Sequence, residues 1–138
     1  LGWILSMLLS MCTATVSIPM HQDLENVSKI EILDTRECSI YTENPPVLYE
    51  LKSDEFSDLW NKLSEIKVSI YFTHPDTAYG DYSVRIYYND GCIYTLGDIL
   101  STYYQPGVDS LFPGKPYFMD DSENFKALLG EYVTLPTD

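Results

Sequence analysis

Apolar residues follow one pattern twice along this chain: a short strand, an acidic start signal and then a helical stripe. In the first copy, residues 47–66, an acidic start at 53–55 precedes apolar residues spaced three and four apart, namely Phe56, Leu59, Trp60 and Leu63. In the second copy, residues 116–132, the acidic start at 121–123 precedes Phe125, Leu128, Leu129 and Tyr132. Both the spacing and the start signals predict amphipathic helices.

Alternation of apolar and polar residues predicts strands in the remaining segments, which are 29–32, 38–42, 47–51, 68–73, 82–88, 92–96 and 117–118. Segment 98–104 fits either a helical turn or a further strand. The order of these elements, βββα-βββ(β)-βα, predicts an α+β fold. We expect a mainly antiparallel sheet of about six strands, with both amphipathic helices packed on one face.

The dipeptide Asp90-Gly91 lies between two alternating segments and predicts a hairpin. A three-residue turn with Gly91 in the left-handed conformation groups one apolar set on one face, namely Val84, Ile86, Tyr88, Cys92, Tyr94 and Leu96. A two-residue turn would instead set Arg85 opposite Leu96. We therefore expect the three-residue turn, because a register slip of one residue sends the apolar set of a strand to solvent.

The first seventeen residues carry no charge and are rich in apolar side chains, which is typical of the h-region of a signal peptide. Small residues follow, so cleavage after Ala14 or Ser17 is expected. Residues 9–12 also resemble a lipobox, in which Cys12 would be lipidated. A buried N-terminal helix or strand is the alternative. Residues 18–26 then predict a polar linker, and residues 27–138 a single domain.

The net charge of the chain indicates which classes of partner it can bind. The chain has 21 acidic and 8 basic residues and a formal net charge of -13. Such a field repels nucleic acids and anionic lipids and favours solubility or cationic partners. We therefore expect no nucleic-acid binding, and membrane association only through the N-terminal signal or a lipid anchor.

Cysteine usage leaves two interpretations. With Cys12 in the N-terminal segment, Cys38 and Cys92 remain as a pair. In an exported domain they predict one disulfide, whereas two reduced core thiols are the alternative.

Two stretches carry a resemblance to a known type of protein: residues 82–91, which end in the Asn-Asp-Gly turn, and residues 121–129. The chain resembles small exported domains of Gram-positive bacteria, either secreted or lipoprotein-like. The resemblance implies an extracytoplasmic location, and it brings no activity with it.

Catalytic motifs are not evident in the sequence. The two histidines, His21 and His74, have no second ligand at metal spacing, and no phosphate loop or nucleophile elbow is present. We therefore expect a protein that is not an enzyme and has no cofactor and no metal. The alternative is a small hydrolase that uses paired carboxylates or Cys92 with His74.

The candidate binding residues are Tyr71, Arg85 and Tyr87, which alternation assigns to the sheet face away from the helices. Tyr and Arg are enriched in protein-recognition surfaces, whereas the alternative is an ordinary solvated sheet face. The sequence thus predicts an exported module that binds a protein or a cell-envelope component through this face or the loop 76–81. A third hypothesis is an acidic cytosolic inhibitor or immunity-type protein that meets a basic partner.

Overall fold

The structure is a computed structural model that describes residues 14–70, 78–110, 117–119 and 121–137, with the side chains of residues 14, 15, 70 and 117–119 left aside. Its strands are β1 (Ala14–Ser17), β2 (Val27–Asp34), β3 (Val47–Glu50), β4 (Lys67–Ile70), β5 (Tyr82–Tyr88), β6 (Ile93–Gly97), β7 (Ser101–Tyr104) and β8 (Tyr117–Met119). Its α-helices are α1 (Phe56–Leu63) and α2 (Ser122–Gly130). Short 3₁₀ turns occupy Leu24–Asn26 and Ser53–Glu55.

The predicted α+β class and the antiparallel pairing are confirmed. The strands form two sheets where the sequence predicted one: a three-stranded sheet in the order β1-β4-β8 and a five-stranded sheet in the order β3-β2-β5-β6-β7. The difference arises at β4, which pairs with β1 and β8 on its two sides and leaves no edge for β5. Within the open segment 98–104, residues 101–104 form strand β7 and residues 98–100 form the bend before it.

One main core joins the inner face of the five-stranded sheet to both helices. The sheet contributes Ile30, Ile32, Val84, Ile86, Tyr94 and Leu96, and the helices contribute Leu59, Leu63, Phe125, Leu128 and Leu129. Val68 of β4 belongs to the same core. The helical stripes of the sequence are therefore the buried faces, and the outer face of the five-stranded sheet is left on the other side.

The β5–β6 hairpin has the register that the sequence predicts. Ile86 lies opposite Tyr94 and Val84 opposite Leu96. Gly91 has a φ of 90° in a three-residue turn, and its N–H donates to the carbonyl of Tyr88. Positive φ explains why glycine occupies this position.

Residues 18–26 are held against the domain, although the sequence predicts a linker there. Ile18 is 4% exposed and belongs to the main core. The ring of His21 stacks on Tyr103 with 4.1 Å between centroids, and the Gln22 amide donates to Tyr103 and Asp90. The polar composition of this segment gives no sign of its packing, because its hydrogen-bond partners lie about seventy or eighty residues away in the sequence.

Residues 38–42 form turns instead of the predicted strand. The N–H of Cys38 donates to Thr35 and that of Thr42 to Ser39, so local bonds use groups that a sheet would need. A single bridge joins Ser39 to Ala78.

Cys38 and Cys92 are free thiols in this structure, so the disulfide expected from the even cysteine count is not formed. Cys38 lies beyond the Asp34 end of β2, which is opposite Tyr82, whereas the carbonyl of Cys92 accepts from Tyr88. The seven residues of β5 separate these positions by about 20 Å, and a disulfide requires Cα atoms within about 7 Å.

Candidate functional site

The outer face of the five-stranded sheet carries a row of side chains that cross four adjacent strands. Register places Lys29 of β2 opposite Tyr87 of β5, Tyr87 opposite Ile93 of β6, and Ile93 opposite Tyr104 of β7. Neighbouring strands lie about 4.8 Å apart, so the row is roughly 14 Å long. Together with Arg85, which lies two residues before Tyr87, these residues are called the outer strip.

Arg85 is positioned by a hydrogen bond across the strand pair. Its Nε donates to the hydroxyl of Thr95 at 2.9 Å, directly across the β5–β6 pair. Among the described residues no carboxylate oxygen lies within ion-pair distance of its guanidinium. Its cross-strand neighbour Glu31 instead accepts from Tyr87 and lies 3.8 Å from Lys29. The guanidinium is therefore positioned by the sheet and makes no ion pair with a described acid.

Tyr87 is fixed between a cation and an acid. Its hydroxyl donates to Glu31 at 2.7 Å, and the ammonium of Lys29 lies 4.4 Å from its ring centroid. Burial, followed by the bond to Glu31, raises the pKa of the Tyr87 hydroxyl. The phenol therefore stays protonated at neutral pH and donates a hydrogen bond in a set direction.

Part of the outer face is covered, which the sequence does not predict. The hydroxyl of Tyr79 meets that of Thr102 at 2.8 Å, and Thr35 meets Ser83 at 2.9 Å. Tyr79, Ile40 and Leu100 form a second small core at this end of the sheet. The outer strip lies beyond this cover, where Arg85 and Tyr87 are half-buried and Tyr104 is 41% exposed.

The sequence thus identifies two members of the outer strip and misses three. Tyr71, the third predicted residue, lies outside the described residues. Lys29, Ile93 and Tyr104 are the members that were missed. Strand alternation places Lys29 and Ile93 on this face, but Tyr104 needed the assignment of β7, which the pattern leaves open.

A second polar group ties the loop before β5 to helix α2, and we call it the Asp98 knot. One carboxylate oxygen of Asp98 accepts from the N–H of Asp81 at 2.7 Å. Its other oxygen accepts from Ser122 at 3.4 Å and lies 3.6 Å from the ammonium of Lys126, which also pairs with Asp81 at 2.9 Å. Burial is the main cause that raises the pKa of Asp98. A backbone N–H, a hydroxyl and an ammonium from two separate segments thus converge on one buried carboxylate, which is the geometry of a structural clamp.

The hydrolase hypothesis finds little geometry in the described residues. Cys92 is 7% exposed and packs in the main core, whereas His74 lies outside the described residues. Within residues 14–70, 78–110, 117–119 and 121–137, no three His, Cys, Asp or Glu side chains gather as a metal site. Neither helix in the described part of the chain has the length and apolar content needed to cross a membrane.

The chain matches no known protein family, no curated protein sequence and no solved structure.

Proposed function

We propose that this protein is an exported, non-enzymatic binding module that contacts a protein or a cell-envelope component through the outer strip. The observation that carries the proposal is the row Lys29, Tyr87, Ile93 and Tyr104, which four strands present side by side away from the helices. The two tyrosine rings supply large contact area at a low entropic cost, and the hydroxyl of Tyr87 is already held by Glu31 beside the ammonium of Lys29.

Arg85 strengthens the case because the rest of the molecule is strongly acidic. The chain has a formal net charge of -13, yet Arg85 and Lys29 stand together on this face. A half-buried guanidinium without a described carboxylate partner is suited to a carboxylate or phosphate oxygen of a ligand. The proposed contact is therefore an anionic or hydrogen-bond-accepting group that lies against the tyrosines.

Binding of the labelled full chain to whole Gram-positive cells and to isolated cell envelopes tests this proposal. The test variant is Arg85→Gln with Tyr104→Ser, since glutamine still donates to Thr95. The matched control is Lys52→Gln with Tyr41→Ser, which changes an exposed cation and an exposed tyrosine elsewhere. We expect the test variant to lose at least about tenfold in affinity and the control to bind as the parent chain does. Equal binding by all three proteins contradicts a role for the outer strip, and absence of binding contradicts the proposed function.

An acidic cytosolic inhibitor is a second candidate, and one observation favours it. Strand β1 pairs with β4 from Ala14 to Ser17, so part of the segment that resembles a signal peptide belongs to a sheet. The intact mass of the protein from its native cells, with and without thiol alkylation, separates the two candidates. A mass that begins at Thr15 or Ile18 supports export. A mass that retains the segment before Ala14, together with alkylated Cys38 and Cys92, supports the inhibitor.

A further inference from the structure

A groove of about 520 Å³ lies between the end of α1 and the exposed side of α2, on the helical side of the molecule. Ile66 and Leu128, both of which are largely buried, form its floor together with Ala127, which is exposed. Its lining repeats along α2 and the two residues that flank the helix, at Asp121, Asn124, Ala127 or Leu128, and Glu131, so one face of the helix follows the groove from end to end. We call it the helix groove.

Carboxylates dominate the rim of the helix groove. Lys62 is the lining cation, and it is already shared between Asp58 at 3.2 Å and Glu131 at 3.1 Å. The side chain of Glu65 has no ion-pair or hydrogen-bond partner among the described residues, and the carboxylate of Asp121 accepts from the amide of Asn124. The C-terminal end of α1 adds the negative end of a helix dipole at Glu65.

The apolar floor and the acidic rim together select one kind of occupant. A purely apolar ligand would desolvate the rim carboxylates without replacing their hydration, and an anion would be repelled. Lysine and arginine side chains suit both parts, because their methylene stems pack on apolar surface while their charged ends reach the rim.

The two ends of the groove determine the spacing of these cations. Asp121 and Glu131 are ten residues apart along the helical face, which corresponds to about 15 Å. An extended peptide spans this distance in four to five residues, at about 3.3 Å per residue.

We propose that the helix groove binds an extended basic segment of a protein partner, with two Lys or Arg side chains four to five residues apart. This inference shares with the proposed function only the premise that the chain binds other molecules. It concerns a different surface, since the outer strip and the helices lie on opposite faces of the five-stranded sheet.

Titration of the isotope-labelled full chain with the synthetic peptide acetyl-Gly-Arg-Ser-Gly-Ser-Arg-Gly-amide, followed by amide NMR shifts, tests the proposal. The test variant is Glu65→Gln with Asp121→Asn, in which asparagine still accepts from Asn124. The matched control is Glu25→Gln with Asp109→Asn, which makes the same change of charge at exposed sites outside the groove. We expect shifts centred on Glu65, Ala127 and Glu131, binding weakened about five- to tenfold in the test variant, and a change below about twofold in the control.

Three results would overturn the inference. The first is the absence of any shift at the groove. The second is equal weakening in the two double variants, which would show attraction to the overall negative field. The third is a set of shifts centred on the outer strip. The last result would leave the proposed function standing and remove only the helix groove. Sedimentation velocity of the peptide-free chain examines the competing occupant: a dimer whose amide shifts on dilution map to the groove would show that a second copy fills it.

Discussion

Gly80 is the residue at which the Asp98 knot has no space for a side chain. Its φ is +105°, and a Cβ there would lie 1.6 Å from a carboxylate oxygen of Asp98. We expect Gly80→Ala to lower the free energy of unfolding by about 2 to 4 kcal/mol, because backbone strain adds to displacement of a buried carboxylate. Urea unfolding measures the loss. Gly107→Ala is the control, because its φ is +80° with open space around it, so only strain of about 1 kcal/mol applies. Equal losses at the two glycines would contradict close packing in the knot.

Asp98 itself makes the stability of the fold depend on pH. Burial raises its pKa in the folded state above the unfolded value of about 3.9. Its contribution is therefore complete below the unfolded pKa and is lost as the pH rises through the folded pKa. Asp98→Asn does not titrate, so the variant should gain stability relative to the parent chain across this acidic window and keep a constant difference above it.

Urea unfolding at a series of acidic pH values measures this difference, with Asp109→Asn as a control for the loss of one charge at an exposed site. Carboxylates far from Asp98 contribute equally to both proteins and cancel in the comparison. A variant that instead becomes less stable than the parent as the pH rises would show that the ionised form of Asp98 is favoured by the fold.

At the scale of elements, the contact between α1 and α2 is also the wall of the helix groove. Lys62 bridges Asp58 on its own helix and Glu131 beyond the end of α2. These are exposed ion pairs, so we expect Lys62→Ala to leave the midpoint of thermal unfolding nearly unchanged. The same substitution removes the lining cation and should strengthen binding of the diarginine peptide about two- to fivefold. The control is Asn61→Ala, a substitution at the neighbouring exposed position. Weaker peptide binding by Lys62→Ala would contradict an electrostatic role for the groove.

Local patterns predicted the elements whose partners are close in sequence. Both helices were found because their apolar spacing and their acidic starts agree. The hairpin followed from Asp90-Gly91, and its register followed from the sorting of apolar residues to one face. Residues 38–42 were assigned wrongly, since alternation over five residues cannot distinguish a strand from consecutive turns whose bonds are local. Strand β1 and residues 18–26 depend on partners some fifty to eighty residues away, so their place in the fold was not evident in the sequence.

The same distinction applies to the whole molecule. Arg85 and Tyr87 share a face because strand alternation requires it, and that part of the candidate site was predictable. Other parts of the two surfaces depend on contacts between segments far apart in sequence, and these were not predictable. They are the packing of Tyr79 over the outer sheet face, the hydrogen bond from Tyr87 to Glu31, and the approach of α1 to α2 that forms the helix groove. The composition gives the net charge, but only the fold shows how the charges are distributed. Arg85 and Lys29 lie on one face, and the acidic rim of the helix groove lies on another.

Strand β1 connects the stability of the whole molecule to its proposed export. Four residue pairs join it to β4, Val16 packs against the main core, and the ammonium of Lys67 donates to Ser17 at 3.0 Å. A chain that starts at Ile18 should therefore be about 1 to 3 kcal/mol less stable than one that starts at Ala14, from lost hydrogen bonds and exposed apolar surface.

Urea unfolding of these two chains measures the contribution of β1, because the chain that starts at Ala14 keeps the strand and omits only the residues before it. Of the two expected cleavage sites, the one after Ala14 retains Thr15, Val16 and Ser17 and most of the pairing with β4. Cleavage after Ser17 removes the strand and leaves the backbone of β4 without this partner. A measured loss would thus favour Thr15 as the first residue of an exported form. Equal stability of the two chains would show that β1 contributes nothing and would make Ile18 an equally suitable start.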